Sequence, residues 1–260
     1  MVCTADQAVS DISDGAVVMI GGFAAPGVPE ELVKALLRHA PHKLTTISNG
    51  AHGRRSEVWD AAKLVEAGLV ARCVSSFPVT GGASAHNAVE TQYLQGQLEV
   101  VVIPQGTLSE QIRAGGAGIP AFYTPTGVSK YTHSRYVNVL IVVDTLLQSG
   151  DIPVRLGPVD KATGKTTILE AGKPRETRIF DGKMYNMENA IKGDVAILRA
   201  YKVDEAGNCQ FRYTTKTFGQ IMAKAAKITI VEAENIVPVG EIHPDNVHIP
   251  GIYVDRIVPA

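Results

Sequence analysis

Short apolar, β-branched runs alternate with helical stretches along most of the chain. Residues 17–20, 44–48, 98–103, 195–198 and 228–231 are predicted strands. Residues 30–39, 58–67, 87–95, 108–114 and 218–226 are predicted helices; in the first, Leu32, Val33, Leu36 and Leu37 recur on one face. This alternation predicts an α/β fold: βαβ units building an open, mainly parallel sheet with flanking helices. Residues 128–172 break the rhythm. An apolar stretch at 137–147 is mixed there with the turn-like pieces Ser149-Gly150-Asp151, Gly157-Pro158 and Thr163-Gly164-Lys165. We expect a single domain over 1–260, with 128–172 as an excursion of strands or hairpins. There is no internal repeat.

The most informative segment is Asp14 to Pro29. The run Val17 to Ile20 stops at Gly21-Gly22, a turn of small residues follows, and Pro29 opens a helical pattern. Pro suits the first helical position, because its missing N–H would be unpaired there. A strand, a glycine turn and a helix in that order bring bare backbone N–H groups close to a ligand. Glu30 and Glu31 suit the positive helix end but compete with a phosphate. The glycine order also fails the dinucleotide fingerprint, and no GK[ST] follows. The turn reads either as a tight connection or as N–H groups facing a neutral or partly charged oxygen, such as a thioester carbonyl, or the narrow arm of a cofactor.

Pro104-Gln105-Gly106 ends the third predicted strand. Thr107-Leu108-Ser109-Glu110 then has the form of a capping box, and Gly115-Gly116 the form of a helix end. Residues 118–127 carry two prolines, two glycines and two aromatics and are expected to be a stiff, shaped loop. Gln105 and Asn49 each lie at or beyond a strand end. Either is a candidate to hydrogen-bond a ligand there, or simply satisfies loop or turn backbone.

Composition narrows the classes. The 260 residues are 45 % hydrophobic, enough for a full core. Net charge is −1, from 25 basic and 26 acidic residues, so no basic face points to nucleic acid. The longest strongly apolar run, Val139 to Val143, is too short to cross a bilayer. The first twenty residues hold Asp6, Asp11 and Asp14 and no Lys or Arg, unlike a secretory or transit leader. The three cysteines, Cys3, Cys73 and Cys209, have no paired spacing, which suits a reducing, cytoplasmic setting. Cys73 lies beside Arg72 but reads as a small buried residue. His243-x-Asp245-x-x-His248 resembles a metal cluster, yet it sits in a Pro-rich loop, and no metal is expected. Glu232 and Glu234 alternate on a strand and share one face. They read as ion-paired or interface residues, with an acid–base pair as the alternative.

Three blocks resemble family I coenzyme A transferases. Asp14 to Pro29 matches the family's glycine signature through Gly21, Gly22, Phe23, Gly27 and Pro29. Leu98 to Val100, Pro104 to Leu108 and Arg113 to Gly127 look like the α half of 3-oxoacid CoA-transferases. Lys173 to Glu176, Gly193 to Ala196 and His248 to Val254 continue the likeness to the C-terminus. The resemblance implies the open α/β sheet shared by CoA transferases and some sugar-phosphate isomerases. It implies a ping-pong transfer of CoA from an acyl-CoA such as succinyl-CoA to a 3-oxoacid or short-chain acid. It makes Gly21, Gly22, Phe23, Ala24, Ala25, Pro26 and Gly27 the CoA-contacting turn, and Gln105 and Asn49 substrate contacts. CoA is then a substrate, with no permanently bound cofactor.

The family's nucleophilic glutamate lies in a Ser-Glu-Asn-Gly motif of the β half. Here Glu188-Asn189 is followed by Ala190, Glu234-Asn235 by Ile236, and Ser48-Asn49-Gly50 lacks the acid. By the resemblance this chain is an α subunit, with no catalytic residue of its own, completed by a β subunit in an α2β2 assembly. The alternatives are a sugar-phosphate isomerase of the same fold and a non-catalytic CoA-binding subunit. The family's Gly-x-Gly-Thr after Pro125-Thr126 is replaced by Gly127-Val128-Ser129-Lys130, and the excursion is longer than the family's hairpin.

Overall fold

The structure, a computed structural model of the chain, describes residues 2–51, 58–78, 87–128, 154–159 and 166–260. The chain begins with α1 (Ala5–Val9), β1 (Val17–Ile20), α2 (Glu30–His39), β2 (Leu44–Gly50), α3 (Ala61–Glu66) and β3 (Val70–Phe77). It continues with α4 (Ala88–Leu94), β4 (Glu99–Val102), α5 (Gln105–Ala117), β5 (Ala121–Thr124), β6 (Arg155–Val159) and β7 (Thr166–Glu170). It closes with β8 (Thr177–Phe180), β9 (Lys183–Asn189), β10 (Gly193–Asp204), β11 (Cys209–Gln210), α6 (Gly219–Ala225), β12 (Ala226–Val237) and β13 (Arg256–Pro259).

The main sheet runs β13-β12-β10-β1-β2-β3-β4, all parallel, with β11 antiparallel to β10. Side chains alternate across it, so each face buries its own apolar set. Val18 and Ile20 of β1 pack with Leu32 and Leu36 of α2, Leu64 of α3 and Val89 of α4. Met19 points the other way, into Leu108 and Ile112 of α5 and Met222 of α6. The open sheet with flanking helices is therefore as expected. Both edges are covered: Val100 N–H of β4 donates to Val154 O at 2.9 Å, and Cys3 N–H donates to Ile257 O of β13 at 3.0 Å. Covering leaves less unpaired backbone to recruit another chain.

A smaller antiparallel sheet, β5-β9-β8, docks on α5. Gln111 Nε2 donates to Glu188 Oε2 at 2.9 Å, and Arg175 Nε donates to Glu188 Oε1 at 3.2 Å. β6 and β7 pair as a hairpin inside the predicted excursion. The apolar stretch 137–147 and the pieces at 149–151 and 163–165 lie outside the described residues.

Several local readings are corrected. Three strands of the main sheet, β3, β11 and β13, had no predicted counterpart. Four of the buried residues of β3 are Cys73, Val74, Ser75 and Ser76, and buried serines break an apolar run. The shaped loop at 118–127 contains a strand, β5. The capping box does not form, because α5 starts earlier: Leu108 N–H already donates to Pro104 O at 2.8 Å. Thr107 is thus inside the helix and buried, and Glu110 pairs with Arg113 at 2.6 Å instead. Gly115-Gly116 does not end α5 either; the helix closes at Gly118, which is left-handed with φ 74°. Pro29 caps α2 from outside rather than opening it.

Gly115 has a packing role. A Cβ there would fall 2.0 Å from Ile191 O, where the chain enters β10. Gly106, in the same helix, has nothing within 4 Å of its added Cβ. Gly115→Ala should therefore destabilise the protein by about 1–3 kcal/mol, since overpacking outweighs the better helix propensity. Gly106→Ala should be neutral or stabilising by up to about 1 kcal/mol. Denaturant midpoints of the two variants check this, and equal midpoints would contradict the contact.

Candidate functional site: a glycine turn at the switch point of the sheet

From β1 the chain lays β2, β3 and β4 successively to one side, then returns to place β10, β12 and β13 on the other. The strand order reverses between β1 and β10. In open parallel sheets that reversal opens a crevice beyond the carboxyl ends of the strands. The glycine turn leaves β1 at this point.

The backbone fixes the turn's shape. Gly21 N–H donates to Ile197 O of β10 at 2.9 Å, and Phe23 N–H donates to Pro26 O at 3.0 Å. Gly22 takes φ 111°, and a Cβ on it would sit 2.7 Å from Val28 Cγ2. Only glycine fits both demands. Ala24 is also left-handed, with φ 54°. Phe23, Ala24, Ala25 and Pro26 are exposed and Gly27 is half-buried. Among the described residues, no partner takes up the N–H of Gly22 or Ala24.

β2 lies beside β1, with Ile20 opposite Ser48. This register carries Asn49 to the turn. A narrow cleft is lined by Ile20, Gly21, Gly22, Ala24, Ser48 and Asn49, with Asp60 of the α3 cap at its far wall. The Asn49 side chain is buried, and its Nδ2 has no hydrogen-bond partner among the described residues. The structure thus brings Gly21, Gly22, Ala24 and Asn49 together. Gln105 opens α5 beyond β4, two strands from β2 at the same end of the sheet, and does not line the cleft. The cleft holds about 10 Å³, room for about one water. Anything larger must lie across its mouth.

Sequence reasoning missed two parts of the site. Asp60 is buried and caps α3, its Oδ1 accepting from Ala62 N–H at 2.9 Å. An Asp one residue before a helical pattern is the signal that was available for it. The second is what closes the start of α2. The expectation was that free N–H groups there face a ligand. Instead Glu232 Oε2, from β12, accepts from Glu31 N–H at 2.8 Å and Leu32 N–H at 3.1 Å. Its Oε1 accepts from Arg199 Nη1 at 2.8 Å. The anion at this helix end is the protein's own, which also disfavours a phosphate. Glu234 shares the Arg199 guanidinium at 3.3 Å and takes Arg212 Nη2 at 2.9 Å. The ion-paired reading of both glutamates therefore holds.

The remaining candidates have structural partners. His248 Nδ1 accepts from Phe211 N–H at 2.8 Å, and burial lowers its pKa. His243 caps the short turn that holds Asp245. Among the described residues no His, Cys, Asp or Glu group is arranged to hold a metal. Burial pushes the Cys73 and Cys209 thiols up to about 12, so Arg72 does not activate Cys73.

The fold is that of solved acyl-CoA transferases. The whole chain superposes on acyl-CoA transferase YdiF from E. coli O157:H7 with a TM-score of 0.75, at 21 % identity, covering 47 % of that chain. The chain belongs to the coenzyme A transferase family, whose family model matches residues 2–260. It is 42 % identical to human succinyl-CoA:3-ketoacid coenzyme A transferase 2, mitochondrial, over 97 % of this chain and 43 % of that protein. It is 39 % identical to the A-type subunit of the succinyl-CoA:3-ketoacid coenzyme A transferase of Xanthomonas campestris pv. campestris (strain B100), over 95 % of this chain and 83 % of that one. The chain therefore spans less than half the human relative and most of the bacterial one.

The Glu232 carboxyl has a pH signature. Burial pushes it up to about 6, against the pull of Leu32 N–H, Arg199 and Glu31 N–H and with the repulsion of the Glu31 carboxylate. Glu31 itself pairs with Lys34 at 2.7 Å. A carboxyl raised by folding holds its proton more tightly folded than unfolded. Its favourable contribution is full below about 4.5 and is lost as pH rises through about 6. Glu232→Gln removes that titration. Between those pH values the stability difference should move by about 2 kcal/mol in favour of the variant. Denaturant titrations across the range check it, and parallel pH curves would refute it.

Proposed function

We propose that this chain is the A-type subunit of a CoA-transferase that moves CoA from an acyl-CoA, such as succinyl-CoA, to a 3-oxoacid or short-chain acid. The observation that carries the reading is the cleft itself. It joins the Gly22 and Ala24 N–H groups to the unpartnered Asn49 Nδ2 at the switch point. The residues that carry these donors line one small space, and donors gathered in this way can stabilise a developing oxyanion.

The thioester carbonyl lies across the mouth of the cleft, with the pantetheine arm along Phe23 to Gly27. A glutamate carboxylate attacks the carbonyl carbon, and the C–S bond breaks to give an acyl-glutamyl anhydride and a CoA thiolate. The thiolate attacks the glutamyl carbonyl, releasing the donor acid and leaving a glutamyl-CoA thioester. The acceptor carboxylate then repeats the sequence in reverse. Gln105, at the same end of the sheet, is placed to hold the acid's carboxylate or carbonyl.

The glutamate belongs to a separate B-type chain. Two buried carboxylates beside the turn are engaged: Glu232 closes α2 and Asp60 caps α3. The likeness to the bacterial A-type relative supports the same division. The assembly is α2β2, CoA is a substrate rather than a resident cofactor, and the setting is cytoplasmic. No helix among the described residues is long and apolar enough to cross a membrane. A sugar-phosphate isomerase would need its own acid and base in this chain, and a phosphate at the start of α2 would meet Glu232.

The purified chain should show no transferase activity, and co-expression with a B-type partner should restore transfer from succinyl-CoA to acetoacetate or a related 3-oxoacid. Activity from the single chain would overturn the division. In the complex, Asn49→Ala should lower kcat by about 10²–10³-fold, the scale of one oxyanion donor. Gly22→Ala should lose CoA-ester activity by a similar factor, as the turn cannot keep its shape. An unchanged kcat in both would remove the turn from the site.

A further inference from the structure

The glycine turn is held from both ends by one chain of contacts. At its far end, Glu232 of β12 takes the first N–H groups of α2. Arg199 is the register partner of Glu232 on β10 and joins Glu232 to Glu234. Glu234 binds Arg212, whose guanidinium stacks over the Tyr201 ring at 4.0 Å. Arg212 begins a tight turn that Thr215 closes, its Oγ1 donating to Arg212 O at 2.6 Å. Thr215 in turn lies directly against Gly27, so close that a Cβ on Gly27 would be 3.3 Å from Thr215 Cβ. The path closes on itself: turn, α2, Glu232, Arg199, Glu234, Arg212, Thr215 and back to the turn.

We propose that Glu232 is a positioning residue, and that the ring it forms with Arg199, Glu234 and Arg212 holds residues 21–28 in the shape that receives the CoA thioester. This rests on the reading of the turn as the CoA site. The reasons are geometric. α2 has no side-chain cap of its own, since Pro29 offers none. Beyond its apolar packing on β1, its start is held by a carboxylate two strands away. Glu232 is fully buried, so the carboxylate cannot exchange its partners for water. A carboxylate bonded through both oxygens and a planar guanidinium shared by two carboxylates tolerate little change of angle, which makes the link stiff. Among the described residues, none of the ring's hydrogen bonds ends on a residue lining the cleft, so the ring acts through the turn.

The test uses the full chain, with CoA as the probe. Glu232→Gln keeps the shape but cannot accept from both α2 and Arg199, because the amide nitrogen is a donor. Arg212→Leu cuts the ring at its half-exposed end, away from the core, and keeps the test sound if the first variant folds poorly. Hydrogen exchange over residues 21–32 should rise at least tenfold in Glu232→Gln, and over 21–28 in Arg212→Leu. CoA affinity by calorimetry should fall at least tenfold in both, and the double variant should be no worse than the weaker single one. Unchanged exchange in the turn overturns the proposal, as does faster exchange with unchanged CoA affinity. Gly22→Ala separates the two failures. If it abolishes CoA binding while the ring variants do not, the CoA reading stands and the ring is not its support. If it too leaves CoA affinity unchanged, the CoA reading fails and the proposal falls with it.

Discussion

The buried carboxylate of Glu232 is the constraint on which the working end of this molecule depends. A charge out of water is costly unless it is fully bonded. Here both oxygens are taken, one by two helix N–H groups and the other by Arg199. Burial still wins, which is why the carboxyl titrates near 6 rather than in the usual range. Buried ion pairs of this kind rarely add net stability over a packed apolar core. What the pair adds is placement. It ties β12 and β10 to the start of α2, and so sets where the strand–turn–helix unit lies against the sheet.

The sheet supplies the rest of the geometry. Because β1 is central and the strand order reverses beside it, the carboxyl end of β1 opens into a crevice. Parallel pairing then aligns the ends of β1 and β2, and that alone brings Asn49 next to Gly21 and Gly22. The cleft between them is too small for a substrate, so the half-site presents a surface rather than a pocket. A partner surface across its mouth completes the proposed chemistry in the most direct way.

Much of this was legible in the residues. The apolar periodicity of 30–39 placed α2 to the residue, and 17–20 placed β1 likewise. The glycine signature identified the turn, because a Cβ at Gly22 cannot coexist with Val28. The family resemblance and the fold it implied are both confirmed by the comparisons. The failures have physical causes. β3 was hidden because it buries Ser75 and Ser76, which carry no apolar signal; the Ser75 Oγ donates to Asn49 O at 3.1 Å. The Thr107 to Glu110 motif fits a cap, but tertiary contacts started α5 earlier and left Thr107 inside it.

By itself the sequence determined the strand–helix alternation, the glycine turn and the absence of a Glu-Asn-Gly motif, because these are local in the chain. Only the tertiary structure decided that Asn49 joins the turn while Gln105 stands two strands away. It alone decided that Glu232, some 200 residues after α2 in the chain (200 and 201 for the two bonds), closes that helix. Strand order and register set those meetings, and neither is written in any short stretch of residues.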